Sequence, residues 1–347
     1  MGTCALSRLS TADVRPFQLA RWLLPRSEVH MSDQKPHRYA GLSGQYLQRH
    51  GDDLSEEGAQ REISGLLNGW KEAMHGRDGV MSREDGSDLR NDELRLPKLP
   101  LAERSTATKD DPLRHVTPAH QADHAILTFH NLMRGLDSMV LSDDRTVMRL
   151  HLSAEFVIIR ALVEAASTAV WVLGPNTSDE RIEHSLRLRH SEIAYSRRLA
   201  IKFSELAGAG TEVALAAQEE FVDGQLQDLA TMARKAGIEV TRATKPVAPG
   251  TIASESGSYV RGLSPALTYW YWSTASSVAH GEIANMGELS DMKFVGVDVR
   301  DQPIAHIEPS AVSIWNHLRV AHDLIAEAHA LWNRRAARLD AEDAPAN

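Results

Sequence analysis

One stretch of the sequence, residues 145–175, constrains the fold more than any other. It is the most apolar run in the chain, and it carries two ionisable residues, Arg160 and Glu164, near its middle. Two aspartates precede the run as helix N-cap residues, and Gly174-Pro175 ends it, because proline cannot continue a helix. The pattern predicts one long helix that is apolar on nearly every side, as helices in protein cores and membranes are.

The same run is long enough to cross a lipid bilayer between Ser153 and Leu173. Against this, Arg160 and Glu164 lie near its centre, where each charge costs at least ~2.5 kcal/mol on insertion scales. No second segment of comparable length and apolarity occurs in the chain. We therefore expect the central helix of a soluble bundle and no membrane partner.

Arg160 and Glu164 are four residues apart, so they share one face of this helix. A second mostly apolar helix is predicted downstream, and its end carries Ser276, Ser277 and His280. Buried polar groups need hydrogen-bond partners, so we expect the two helices to bring these polar side chains together. The expected polar core favours a structural role for Arg160 and Glu164 over a catalytic one.

Ser276 and His280 also lie four residues apart, a spacing that invites a nucleophile-and-base interpretation. A reactive serine normally sits on a strained turn beside an oxyanion hole, whereas this serine sits within a predicted helix. Hydrogen bonds from Ser276 and His280 to the central helix are therefore the favoured interpretation.

Net charge and cysteine content restrict the expected cellular compartment and the expected binding partners. The formal net charge of −9 argues against broad, non-specific nucleic-acid binding, so RNA is only a weakly supported partner. The single cysteine, Cys4, excludes an intrachain disulfide or a cysteine-based metal site and fits the cytoplasm. The first thirty residues lack the apolar core of a signal peptide, and Met31 is an alternative translation start to Met1.

The chain divides into five predicted regions. Residues 1–52 have no sustained hydrophobic period and are expected to be disordered. Residues 53–75 are expected to form one isolated amphipathic helix, which docks on the main domain or binds a partner, with docking favoured. Residues 76–116 mix charge with glycine and proline, which is typical of a linker. Residues 117–339 are expected to form a helical bundle domain, and residues 340–347 a loose tail.

The predicted fold class is all-α, with about five core helices and one small β-hairpin. The bundle is expected to begin at Thr117-Pro118, because an N-cap residue followed by proline is a helix start signal. Residues 293–308 contain two short runs, K-F-V-G-V-D-V and I-A-H-I-E, joined by a turn from Arg300 to Pro303, which predicts the hairpin.

No metal or cofactor is predicted. His120 and His124 have the spacing of a helical metal pair, but a third ligand and the glutamate of a metalloprotease motif are missing. No glycine-rich phosphate loop follows a predicted strand, so the common nucleotide-binding folds are excluded. The basic side chains between residues 181 and 202 favour a solvated helix face over a binding site.

Three short motifs carry a resemblance to a known group of proteins. They are R-A-L-V-E at 160–164, W-V-L-G-P at 171–175 and S-S-V-A-H-G at 276–281. Across about residues 120–335 the chain resembles a family of uncharacterised bacterial helical proteins, which is distantly similar to the HEPN superfamily. The resemblance implies a helical bundle that dimerises and works in toxin–antitoxin, defence or RNA-processing systems.

HEPN nucleases carry an arginine and a histidine separated by four to six residues, with a polar residue directly after the arginine. Arg145 and His151 have this spacing in the present chain, and Thr146 follows the arginine. A second pair with this spacing, Arg300 followed by Asp301 and then His306, falls within the predicted hairpin. By resemblance, such residues would act as a nuclease site.

Two function classes follow. The first is a non-enzymatic regulatory or interaction protein that forms homo-oligomers or binds a protein partner and acts in stress or defence. The alternative is a metal-independent HEPN-type endoribonuclease, in which arginine and histidine stabilise and protonate a scissile phosphate. The negative net charge favours the first class. The candidate catalytic residues for the second are His280, Ser276, Ser277, Arg160, Glu164, Arg145 and His151.

Overall fold

The computed structural model describes residues 54–74, 82–96, 116–207, 212–297, 300 and 303–338. The described helices are α1 (Glu56–Met74), α2 (Asp88–Arg95), α3 (Pro118–Val140), α4 (Ala154–Leu173), α5 (Ser178–Ala207), α6 (Glu212–Lys235), α7 (Val240–Ala243), α8 (Pro249–Ser256), α9 (Pro265–Ala279), α10 (Ile283–Glu288) and α11 (Ala311–Ala336). Two strands, β1 (Ser290–Val297) and β2 (Pro303–Pro309), form the only sheet in this described part. The fold is all-α with one small hairpin, as the sequence predicts.

Helix α4 lies at the centre of the fold and packs against α3, α8, α9 and α11. Its buried face includes Phe156, Ile159 and Leu162, and its last five residues, 169–173, are fully buried. Among the described residues, α4 is the one helix long and apolar enough to cross a membrane, and 61% of its most apolar window is buried inside the fold. Its apolar surface is therefore covered largely by its neighbouring helices.

The central helix begins at Ala154, later than the N-cap aspartates predict. Between α3 and α4 the chain forms a loop, in which an isolated bridge pairs Leu141 with Met148. The Asp144 carboxylate accepts hydrogen bonds from the Ser142 hydroxyl (2.6 Å) and from the Thr146 backbone N–H (3.1 Å). These local bonds stabilise a turn in place of a helix start, because aspartate and serine side chains compete with helical backbone bonding.

Helix α1 is docked on the main body, which is the favoured of the two positions expected for it. Ala59, Ile63 and Leu67 are fully buried in the hydrophobic cluster that also contains α3, α4, α9 and α11. The Glu56 carboxylate accepts hydrogen bonds from the Ser310 hydroxyl (2.8 Å) and the Ala311 backbone N–H (2.6 Å). A carboxylate at the N-terminus of α11 satisfies unpaired N–H groups there and thereby fixes α1 to α11.

Helix α2 lies within the segment predicted as a linker, and that prediction is corrected for residues 82–96. Ser87 caps the helix, its hydroxyl accepting from the Arg90 backbone N–H, and Leu89 and Asp92 are fully buried. The sequence of α2 is almost entirely polar, so its apolar content gave no signal of a buried helix. The predicted disordered region 1–52, the predicted tail 340–347 and the rest of the linker, apart from Val116, lie outside the described residues.

The hairpin pairs β1 and β2 in antiparallel register from Ser290 opposite Pro309 to Val297 opposite Pro303. A bulge interrupts the pairing between Phe294 and Gly296, and the glycine there has a φ of 143°, which side-chain-bearing residues rarely adopt. The hairpin follows α10 and precedes α11, so it leads the chain into the last helix.

Candidate functional site

An apolar cleft of about 320 Å³ lies between α1, α3 and α11. Its lining is mostly aliphatic and aromatic, and three imidazole groups interrupt it. The lining residues are Leu66, Gly69, Trp70, Ala73, Phe129, His130, Met133, Leu318, His322, Ile325, Ala326 and His329. The cleft has the size and chemistry of a small-molecule site, in which a few polar groups orient a mainly apolar ligand.

Helical periodicity brings these residues to one place. On α11, Leu318, His322, Ile325 and His329 follow one another at spacings of four, three and four, so they lie on one face. On α1 the lining residues are three, one and three residues apart, which also places them on one face: Leu66, Gly69, Trp70 and Ala73. Each helix therefore presents one apolar stripe to the cleft, and the histidines interrupt the stripes of α3 and α11.

Three ring systems form a chain of hydrogen bonds along the wall of the cleft. The Trp70 indole Nε1 lies 3.1 Å from His130 Nδ1, and His130 Nε2 lies 3.2 Å from His329 Nε2. An indole N–H can only donate, so His130 Nδ1 accepts and its ring proton resides on Nε2. His130 then donates to His329, whose proton resides on Nδ1.

These hydrogen bonds hold the His130 ring in the wall of the cleft. Both ring nitrogens of His130 are engaged, one by Trp70 and the other by His329. These two bonds therefore hold the rings of Trp70, His130 and His329 in fixed orientations along the wall. His322 is half exposed at the same cleft, with Nδ1 3.6 Å from Asp323 Oδ1, and is placed to meet a polar ligand group.

The predicted polar core is wrong in its partners. Arg160 Nε donates to Glu164 Oε1 (3.1 Å), and the same oxygen accepts from the Trp272 indole N–H (2.8 Å). The Arg160 guanidinium lies 6.0 Å from the centre of the Trp272 ring. The side chains of Arg160 and Glu164 are 28% and 31% exposed, so the pair lies at the edge of the core.

Ser276, Ser277 and His280 lie one to two turns beyond Trp272 on α9. His280 is the exposed C-cap residue, and its backbone N–H donates to the carbonyls of Ser276 (3.0 Å) and Ser277 (3.1 Å). Within the described chain, no hydrogen bond or ion pair joins these three residues to the Arg160–Glu164 pair. The indole N–H of Trp272 therefore binds Glu164 in place of the expected serine or histidine side chain.

Arg145 and His151 are held by different partners. The Arg145 guanidinium binds both carboxylate oxygens of Asp137 (2.8 and 3.1 Å) and the side-chain oxygen of Asn68. The His151 ring lies 2.9 Å from the carboxylate of Glu155, which is fully buried. Both residues lie in the loop before α4, and their side chains stabilise that loop.

The second arginine–histidine motif, Arg300-Asp301 with His306, lies in the hairpin segment, as expected. His306 on β2 places Nε2 3.2 Å from Glu308 Oε1, and the same carboxylate binds Lys293 of β1 (2.8 Å). Arg300 belongs to the hairpin turn, and Asp301 lies outside the described residues. Within the described part of the hairpin, His306 and Glu308 lie on an exposed ribbon and enclose no site for a phosphate.

His120 and His124 line a separate, more polar cavity of about 330 Å³. Its other walls come from α4 and α5 and include Thr168, Arg189 and Glu192. The guanidinium of Arg189 binds the carboxylate of Glu192 at 2.9 Å. No three histidine, cysteine or acidic side chains in the described ranges are grouped to hold a metal ion.

Sequence reasoning did not identify Trp70, His130, His322 and His329 as parts of one site. A usable signal was present on α11, where His322 and His329 stand seven residues apart within an apolar stripe. Comparison with protein-family models, curated proteins and solved structures found no match to this chain.

Proposed function

We propose that this protein is a non-enzymatic helical regulatory protein that binds a small, predominantly apolar ligand in the cleft between α1, α3 and α11. The observation that carries this proposal is the cleft itself, whose volume of about 320 Å³ and mainly apolar lining suit such a ligand. An unbranched chain of roughly ten carbons with one polar end has the required shape and chemistry.

The histidines define which end of the ligand is polar. His130 is already bonded to Trp70 and His329, so it supports the wall of the cleft. His322 stands half exposed at the cleft, where its imidazole can donate to an anionic or hydrogen-bonding group. A ligand with a carboxylate on an aliphatic tail fits this arrangement, because the carboxylate can accept from His322 and the tail can pack against the apolar lining.

Regulation follows from the position of α1. This helix forms one wall of the cleft, and the body of the protein forms the other two. A ligand in the cleft contacts both, and it therefore stabilises the docked position of α1 over any displaced position. The protein would report ligand binding to a partner through α1, in a stress or defence setting that rests on the sequence resemblance alone.

The endoribonuclease alternative gains no support from the arrangement of its candidate residues. The guanidinium of Arg145 is bound by Asp137 and Asn68, and His151 is bound by Glu155. A nuclease site needs arginine and histidine side chains that converge on one phosphate. These side chains instead bind separate carboxylates.

Dye binding to two glycine variants of α1 tests the proposal. Gly69 lines the cleft and Gly65 does not, although a Cβ added at either position would meet no atom within 4 Å. Anilinonaphthalene sulfonate, an apolar dye with one anionic group, should bind the wild-type protein, as its fluorescence will report. Gly69→Leu should weaken binding at least about tenfold, which corresponds to ~1.4 kcal/mol.

Gly65→Leu is the matched control, because it gains the same helix propensity, about 1 kcal/mol, on the same helix without touching the cleft. It should bind the dye as the wild-type protein does. Decanoate should displace the dye more strongly than decanol, because only the acid carries a charge for His322. Equal binding by both glycine variants, or no binding by the wild-type protein, would contradict the proposal.

A further inference from the structure

A stripe of large apolar side chains lies exposed along the second half of α5. Tyr195, Leu199, Phe203 and Leu206 are between 52% and 86% exposed. They follow one another at spacings of four, four and three residues, so they occupy one face of the helix.

The opposite face of α5 packs against α6. Arg197 binds Asp223 (3.3 Å) and lies 3.9 Å from Glu219, and Ile193 is buried in the cluster shared by the two helices. Phe203 and Leu206 therefore point away from the body of the protein. Contiguous apolar surface of this kind marks an interaction site on a soluble protein.

We propose that this stripe binds the same stripe of a second copy of the chain, with the two α5 helices antiparallel. The charged residues beside the stripe favour this occupant. Arg198 and Glu205 are seven residues apart, two helical turns, and lie on the same flank of the stripe. In an antiparallel pair related by a two-fold axis, the same flank of both helices adjoins.

The register of such a pair follows from these charges. When Arg198 faces Glu205 of the second copy, symmetry places Glu205 opposite Arg198 of that copy as well. In the same register, Leu199 falls within one residue of Phe203 of the second copy, so the apolar stripe is covered along its length. Lys202 already binds Glu205 of its own chain at 2.8 Å, and it holds that carboxylate beside the stripe.

Sedimentation of the full chain over about a hundredfold range of concentration tests the proposal, since association depends on concentration by mass action. The wild-type protein should form dimers. Phe203→Asp should shift it to monomers, because a charge replaces the most central exposed ring. Val295→Asp is the control, since Val295 is 62% exposed on β1 and lies outside the stripe.

A charge exchange then identifies the occupant. Arg198→Glu alone should weaken dimerisation at least about tenfold, because it places a glutamate opposite Glu205 of the other copy at both symmetric contacts. The double variant Arg198→Glu, Glu205→Arg should return the affinity toward the wild-type value. Such a rescue requires that the partner carry the same two substitutions, as only a second copy of the chain does. Circular dichroism should show all variants folded. A monomeric wild-type protein, dimers of Phe203→Asp, or a double variant no better than the single one would overturn the proposal.

Discussion

His317 illustrates how one buried side chain links stability to pH. Its Nδ1 donates to the Ser313 carbonyl (2.7 Å), and its Nε2 accepts from the Thr274 hydroxyl (2.9 Å). The rings of Phe156 and Tyr271 meet it edge-on at 5.1 and 4.8 Å. Burial among these groups disfavours the charged imidazole and lowers the pKa of His317 to about 4.

The sign of the pH effect follows from the direction of this shift. An unfolded histidine binds a proton near pH 6.5, whereas folded His317 does so only near pH 4. As the pH falls through this window, the unfolded state gains a proton that the folded state does not. The free energy of unfolding should therefore fall by about 3 kcal/mol between pH 6.5 and pH 4 on account of this residue.

Urea unfolding of the wild-type protein and of His317→Gln, at several pH values, measures this contribution. Glutamine keeps a donor and an acceptor but does not titrate. The variant should lose about 3 kcal/mol less than the wild-type protein over the same window. Parallel pH profiles for the two proteins would show that His317 titrates alike in both states. If the variant does not fold, the His317 ring titration by NMR decides instead.

At the scale of elements, one ion-pair cluster joins α2 to the start of α5. Arg181 is buried and donates to both carboxylate oxygens of Asp92 (2.7 and 3.1 Å). It also donates to the backbone carbonyls of Pro175 and Asn176, which follow the end of α4. The sequence placed Arg181 on a solvated basic face, because its partner lies 89 residues away on a helix that no pattern revealed.

Substitution of Arg181 should lower the free energy of unfolding far more than substitution of Arg160 in the central helix. Arg181→Ala leaves Asp92 buried without its cation, and we expect the free energy of unfolding to fall by about 3–5 kcal/mol. Arg160→Ala should cost about 1 kcal/mol, because its pair with Glu164 is partly exposed.

Chemical denaturation of both variants under one set of conditions gives the comparison. Equal losses, or a larger loss for Arg160→Ala, would show that burial of the ion pair does not decide its contribution to stability. The same measurement on Asp92→Asn would separate the charge of the pair from its hydrogen bonds.

Local signals predicted the elements best. Thr117, Ser264 and Ser310 each cap a helix with a side-chain hydrogen bond, and the first two precede a proline in the first turn, as the sequence indicates. The start of α4 was missed because its two preceding aspartates belong to a turn. Arg145 in that turn has a φ of 59°, a conformation set by the contacts of its neighbours and not by its own preference.

At the scale of the whole molecule, the candidate site depends on how helices pack across long sequence distances. Trp70 and His130 are 60 residues apart, and His130 and His329 are 199 apart. Periodicity identifies the face that each helix buries, but it does not state which residues of two buried faces meet. The Trp272 indole likewise took the place that the sequence pattern gave to Ser276 and His280.

The central claim is that a ligand in the cleft holds α1 against the rest of the protein. Hydrogen–deuterium exchange of the full chain, with and without decanoate at about 100 times its dissociation constant, tests this most directly. Such a concentration adds ~2.7 kcal/mol to the stability of the liganded state. Amides of α1 should exchange up to about a hundredfold more slowly, while those of α6 should not change. Unchanged exchange in α1, or equal slowing in both helices, would contradict the account.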